Sequence, residues 1–199
     1  MGWKLPGILR ALGFSLWLIV TTVAASTLTS WHAVGLPTPL PAAQFATPRA
    51  SWRVEHFLSA DCACSRDLAR YLTARGPIAA GVEEVTLLRS VDRSRGKILL
   101  GDLHRAGFSV TEMDAEAASL GGVGGVPMLQ IQAPDGRVRF RGGYRDRNTP
   151  PGKYLDLNIL SSLMASKPVP APRVLGCATS RRLKEMLDPF SLKTLLQLP

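Results

Sequence analysis

The residue types best suited to chemistry stand together at Cys62-Ala63-Cys64, with a third cysteine far downstream at Cys177. Three cysteines are too few for a disulfide-stapled scaffold, so their reactivity is the first question. Thiolate is the reactive form, and a helix N-terminus stabilises it through N–H groups and dipole. A helix opening just after the pair makes Cys62 the nucleophile, with Arg66 one turn on adding positive charge. Cys64 is then the resolving thiol, which closes a disulfide and expels a mixed-disulfide partner. The same pair suits a soft ion. Two thiolates two positions apart can hold Cu(I), with a third ligand from His56, His104 or Cys177. No second cysteine pair and no His-x-x-x-His completes a zinc site. Two buried structural cysteines are the plain alternative.

Other motifs carry less. Gly121-Gly-Val-Gly-Gly125 looks like a phosphate loop but lacks the following Lys-Ser/Thr and runs into Val126-Pro127 and a strand instead of a helix. It is read as a structural approach to the proline. No Ser-His-Asp arrangement or paired-carboxylate motif is legible, and nothing calls for a cofactor or a resident metal. His104 falls on a helix and His32 at the end of an apolar run, neither with a clear role.

These residues need elements to hold them. Trp52 to Leu58 reads as a strand, and Leu68, Tyr71 and Leu72 give helical spacing over Ser65 to Thr73, with Asp61 as the expected N-cap. Gly76-Pro77 stops that helix. Glu83 to Arg89 is a second strand, Arg95 to Ala106 a helix ended by Gly107, and Phe108 to Met113 a short extended piece. Met128 to Gln132 is a strand, and Asp135-Gly136 predicts a hairpin returning through Arg137 to Arg141. Pro150-Pro151-Gly152 precedes an amphipathic helix over Tyr154 to Ala165. No fixed-period repeat is present.

A first strand running straight into a cysteine pair at a helix N-terminus, with Val126-Pro127 before a hairpin, resembles the thioredoxin fold. The resemblance covers Trp52 to Ala165. Within that superfamily the chain is most similar to the membrane-anchored extracytoplasmic branch, in particular RedB-type proteins, through its Cys62-Ala63-Cys64-Ser65. It implies an α/β, thioredoxin-like fold, a central mixed sheet flanked by helices, with an N-terminal transmembrane helix. By the same resemblance Pro127 is the cis-proline facing the cysteines, and the exposed backbone of Val126 pairs with a substrate chain. His56 stands where thioredoxins carry a buried acid, which gives it a proton-relay reading beside that of a satisfied core histidine. The superfamily's pattern is Cys-x-x-Cys, so this motif is one residue short. Positions two apart on a regular helix point to different faces, so closing a 62–64 disulfide is expected to distort the first helical turn.

Composition sets the frame. Of 199 residues, 46% are hydrophobic and 20% charged, which excludes a wholly disordered chain. The formal charge is +9, and a pI near 10.1 raises nucleic acid as a partner. The basic residues are scattered, however, and Arg137, Arg139 and Arg141 alternate with Val138 and Phe140 as on a strand with one solvated face, followed by Arg145 and Arg147. No nucleic-acid partner is expected.

Lys4 and Arg10 are the only charges before Ala11 to Trp31, 21 residues without any. As a helix that run spans about 31 Å, one hydrocarbon core. The flanking positive charges place the N-terminus in the cytoplasm and send the remainder across. Val23-Ala24-Ala25 also fits a signal-peptide cleavage site. The expected organisation is an anchor or signal peptide at 1–32, a Pro-rich linker at 33–50, a thioredoxin-like domain at 51–166, and a second Pro-rich linker with an amphipathic tail at 167–199. The tail carries Cys177, a third redox thiol if it reaches the pair, and Leu183, Met186, Leu187 and Phe190 on a basic helix. The reading is of a bacterial inner-membrane, single-pass protein whose domain faces the periplasm. There it exchanges disulfides with protein thiols; a copper or redox-metal chaperone on the same fold and a degenerate module used for assembly are the alternatives.

Overall fold

The computed structural model describes residues 7–33, 35–36, 50–146, 148–150, 152–169 and 172–188. Pro37, Pro39, Pro41, Pro48, Arg147 and Phe190 lie outside them, as does the side chain of His32. The chain divides into two units, Met1–Val34 and Gly35–Pro199.

The first unit is helix α1, Gly7–Ala33. Its window Leu9–Ser26 has a mean hydropathy of 1.5, long and apolar enough to cross a membrane and equally suited to a signal sequence. Its apolar side chains recur on every face instead of forming a stripe. Thr21 Oγ1 donates back to the Trp17 carbonyl at 2.9 Å, so that hydroxyl is satisfied within the helix.

The second unit follows in the order β1 (Trp52–Ser59), α2 (Ala63–Arg75), β2 (Gly81–Leu88), α3 (Arg93–Arg105), β3 (Ser109–Met113), α4 (Ala115–Leu120), β4 (Gly125–Val126), β5 (Met128–Gln132), β6 (Val138–Gly142), α5 (Asp156–Met164), β7 (Cys177–Ala178) and α6 (Arg181–Leu187). Five strands form one sheet in the order β3-β2-β1-β5-β6. β1 pairs parallel with β2, and β2 with β3, through the crossover helices α2 and α3. β5 runs antiparallel to β1 and returns as β6 through the Asp135-Gly136 turn, where Gly136 takes φ 81. A parallel βαβ unit sharing its central strand with an antiparallel hairpin, closed by a last helix, is the thioredoxin-like fold.

Strand alternation divides the core. Val54, Leu58, Val85, Leu87, Leu129 and Ile131 pack with Leu68, Leu72, Leu103 and Ile159 of the helices. Each fully buried leucine there contributes about 1.5–3 kcal/mol of transfer free energy. Phe57, Leu88 and Met128 take the opposite parity and pack with Cys62, Ala118, Val126, Val174 and Ala178. The cysteines therefore belong to the second cluster.

Four features differ from the sequence reading. The N-cap of α2 is Cys62 with extended backbone (φ −102, ψ 120), one residue after the expected Asp61. The Asp61 carboxylate instead accepts from Ser90 Oγ and, at 2.8 Å, from Val91 N, because the loop after β2 brings two donors to it. α4 has no counterpart in the reading: six residues are too few to show a period, though Asp114 caps it by accepting from Glu116 N at 2.8 Å. Arg141 is not on a solvated face. It is 7% exposed, and its guanidinium donates to Gln130 Oε1 (2.8 Å) and the Gly121 carbonyl (3.1 Å). Finally, residues 172–180, read as linker and tail, pack into the unit. Leu36 N donates to the Val174 carbonyl at 2.9 Å, Gly143 N to that of Pro172 at 2.7 Å, and β7 pairs antiparallel with β4.

Candidate active site

β1 delivers the chain to Cys62 through a tight turn in which Cys62 N donates to the Ser59 carbonyl at 3.1 Å. Arg66 N then donates to the Cys62 carbonyl at 3.0 Å, the first bond of α2. The Arg66 guanidinium, expected to add charge to the pair, donates to the Ala60 carbonyl at 2.9 Å. Cys62 is only 1% exposed, while Cys64 and Cys177 are half-buried, and no two of the three are disulfide-bonded.

As a thiol, Cys62 donates to the Val126 carbonyl across 3.5 Å. As a thiolate it is the acceptor of its neighbours. Hydrogen bonds from the Cys177 and Cys64 side chains, in that order, outweigh burial and hold Cys62 well below the usual thiol range. The Ser65 amide adds a smaller pull. The fully buried Ser65 hydroxyl makes no conventional hydrogen bond, and its reach to Cys62 is the weakest of these contacts. Cys64 moves the opposite way. Its hydrogen bond to Cys62, then burial, then the negative charges of Cys62 and Asp67 push it up. The cluster thus favours one thiolate with protonated neighbours.

Cys62 is the N-cap, with extended backbone, while Cys64 lies in the first turn of α2, so the argument from two positions on one regular helix applies to Cys64 alone.

Val126-Pro127 lies beside the cysteines, and its peptide bond is cis. The Val126 edge, read as open to a substrate chain, is already paired: Val126 stands opposite Cys177 and Gly125 opposite Ala178. Thr179 extends the seam by donating N–H to the Gly124 carbonyl (3.2 Å) and its hydroxyl to that of Val123. Next to it a cleft of about 300 Å³ is lined by Cys64, Pro127, Tyr144, Arg145, Tyr154 and Arg173, among others. Cys64 and Pro127 thus share a surface opening flanked by two guanidinium groups.

His56 is 0% exposed and points to the other face of β1 from Phe57. Its Nδ1 lies 2.6 Å from Tyr144 Oη and its Nε2 2.5 Å from Glu83 Oε1. Arg75 donates to Glu83 and, at 2.9 Å, to Asp156, and the Ile78 N–H donates to Glu83 at 2.7 Å. Burial alone would raise the Glu83 carboxyl, but hydrogen bonds from His56 and Arg75 hold it below the usual carboxylate range. The structure therefore separates His56 from the thiol cluster. Its link to the cleft runs through Tyr144, which lines it. His104 lies in the last turn of α3. Among the described residues no three His, Cys, Asp or Glu side chains are arranged to hold a metal ion.

The partners Tyr144, Glu83, Arg75 and Asp156, and the strand carrying Cys177, were missed in the sequence. The first four leave no local signal: the His56 contacts and the Arg75–Asp156 pair join residues 27 to 88 positions apart, and Arg75 and Glu83, eight apart, are separated by the turn between α2 and β2. Val174-Leu175-Gly176-Cys177-Ala178 is a short apolar run after Pro172, too brief to mark a strand.

No protein-family model matches the sequence. No curated protein matches it either. Among solved structures the chain is similar to a hypothetical protein from Sinorhizobium meliloti 1021, at 17% identity and a TM-score of 0.47, covering 74% of this chain and 94% of that one. A secreted Mycobacterium tuberculosis disulfide oxidoreductase homologous to Escherichia coli DsbE aligns at 15% identity and TM-score 0.40, over 69% and 98% of the two chains. A thiol:disulfide interchange protein from Chlorobium tepidum aligns at 13% identity and TM-score 0.40, over 66% and 98%.

Proposed function

We propose that this chain is a thioredoxin-like thiol–disulfide oxidoreductase of the RedB type in which Cys62 attacks and Cys64 resolves. One observation carries the reading: Cys62 caps α2 against the carbonyl of Val126, beside Pro127, while its neighbour Cys64 opens onto the cleft. The Cys62 thiolate attacks one sulfur of a substrate disulfide, forming a mixed disulfide and releasing the first substrate thiolate. Cys64 gives up its proton and attacks Cys62 Sγ, closing the 62–64 bond and expelling the second. The substrate gains two electrons and the pair loses two. Pro127 lines the cleft with Cys64 as the docking element, and the Val126 edge joins it only when β7 leaves that edge. His56, bonded to Glu83 and Tyr144, fits a core histidine better than a relay.

The proposed setting is outside the cytoplasm, with 1–32 as anchor, 33–50 as spacer and 51–166 as the catalytic module, to which 172–180 are added. Lys4 and Arg10 before an uncharged run support that orientation. The test is reduction of a protein disulfide by the full chain in detergent, beside an anaerobic Cu(I) titration of the same reduced sample. Turnover lost in C62S and a mixed disulfide retained in the C64S/C177S double variant, which has no second thiol to resolve it, are the expected results. No turnover with tight Cu(I) binding would replace this reading with the metal-chaperone one.

A further inference from the structure

We propose that β7 is a tethered substrate strand and that Cys177 is a third exchange thiol, forming a disulfide with Cys62. The proposal rests on the reading of Cys62 as the attacking thiol and adds its partner within the same chain. An extended segment laid along a sheet edge is held by main-chain hydrogen bonds, while its side chains meet whatever lies beneath. β7 does this on β4, opposite the residues that precede Pro127. Val126 is the shared neighbour: its carbonyl accepts from Cys62 Sγ at 3.5 Å, and its register partner is Cys177. Cys62, Val126 and Ala178 are buried in one cluster, with Cys64 and Cys177 packed against it.

The segment sits close. A Cβ on Gly176 would lie 2.1 Å from the Val126 carbonyl oxygen and 3.0 Å from Pro127 Cδ, so only glycine lets the chain pass the proline at this distance. The Gly143 N–H bond to the Pro172 carbonyl (2.7 Å) and the Leu36 N–H bond to that of Val174 (2.9 Å) fix the approach from the N-terminal side. Exposure then sets the order of access. Cys62 is 1% exposed and Cys177 half-buried, so with β7 seated the covering strand's thiol stands where a substrate cysteine would.

The exchange needs no outside oxidant once the 62–64 disulfide exists. The Cys177 thiolate attacks Cys62 Sγ, the 62–177 bond forms as the 62–64 bond breaks, and the electron pair passes to the Cys64 sulfur. Cys64 takes up the proton that Cys177 gave up. The reverse step restores the first disulfide and frees Cys177. Tethering raises the effective concentration of this thiol over that of any external one.

The test uses the full chain in detergent, reduced, treated with oxidised glutathione, acid-quenched and mapped by disulfide-linked peptides. In C64S, where the 62–64 bond cannot form, a 62–177 disulfide with no glutathione left on Cys62 is expected. Adding G176V should displace β7, so that the cross-link is lost and glutathione stays on Cys62. In the wild-type chain quenched early, both 62–64 and 62–177 linkages are expected, which covers the case of a poorly folded C64S. Cys62 and Cys177 left unlinked in C64S and at every time in wild type would overturn the proposal. C177S separates the two readings. If it forms 62–64 while C64S forms no 62–177, this inference falls alone. If it forms no 62–64 while C64S forms 62–177, the pairing with Cys64 falls and the third thiol stands.

Discussion

The two faces of the central sheet each bury polar groups, and they do so in opposite ways. On one, His56, Glu83, Arg75 and Asp156 close a network of ionic and hydrogen bonds, with Tyr144 and Tyr71 satisfying the ends. Glu83, Asp156 and the terminal nitrogens of Arg75 have fixed partners, with only Arg75 Nε buried without one, and the network ties β1, β2, α2 and α5 together. On the other, Cys62 is held by two thiols and the backbone around it. Thiols are weak donors, and their bonds can be exchanged for covalent ones. Burial with strong partners gives a fastening, whereas burial with soft, exchangeable partners suits a centre of thiol exchange, as proposed for Cys62.

Breaking the fastening should have the largest effect. Glu83→Ala leaves Arg75 and His56 buried without their common acceptor, and a loss of about 3–5 kcal/mol is expected in denaturant unfolding. The pH dependence has a definite sign. The Glu83 carboxyl is held below its ordinary range in the fold, so its contribution is full above the unfolded-state value and fades as pH falls through the folded one. The gap between wild type and E83Q should therefore be wide at neutral pH and narrow in acid. A gap that widens in acid would contradict the assignment.

A smaller effect is expected where the two regions meet the 172–178 segment. A Cβ on Gly143 would lie 2.4 Å from the Arg173 carbonyl oxygen, and backbone cannot give way as a side-chain tip can. Gly143→Val should cost about 1–3 kcal/mol, as overpacking does, and should loosen the cover over Cys62. Alkylation of Cys62 in the reduced variant should be faster than in wild type. Equal rates would mean that the segment does not shield it. Thr179→Val is the mildest change. It removes the buried hydroxyl's bond to the Val123 carbonyl, and about 1 kcal/mol is expected from thermal unfolding. The network on the far face should be unaffected, and Glu83→Ala should add to it independently.

The thiol face was far more legible in the sequence than the fastening. Cys62-Ala63-Cys64 after a strand, the Asp135-Gly136 turn and Val126-Pro127 are local patterns, found in the structure as a helix N-terminus, a hairpin turn and a cis peptide bond. Asp61 was misread because a cap and a loop acceptor carry the same residue type; only the donors at Ser90 and Val91 distinguish them. His56 had no visible partner because Glu83 is 27 residues away and Tyr144 is 88. Arg141 followed the strand alternation, yet its guanidinium folds back to Gln130 and Gly121. β7 is hidden for a related reason: two residues have no period, and its partner strand, also two residues long, falls at the end of the glycine-rich approach to Pro127.

The central claim is that the Cys62 thiolate is stabilised in the reduced cluster. Because its ionisation is lowered in the fold, the stabilisation is complete above the ordinary thiol range and fades only as pH falls through the lowered value. It therefore persists in part at neutral pH, favours the dithiol, and raises the reduction potential. Equilibrating the C177S chain with a glutathione redox buffer at neutral pH, and mapping the 62–64 linkage at each point, measures that potential without competition from the third thiol. Part of the stabilisation remains there through Cys64 and Ser65. A value more oxidising than thioredoxin's, about −270 mV, is expected; a value at or below it would contradict the claim.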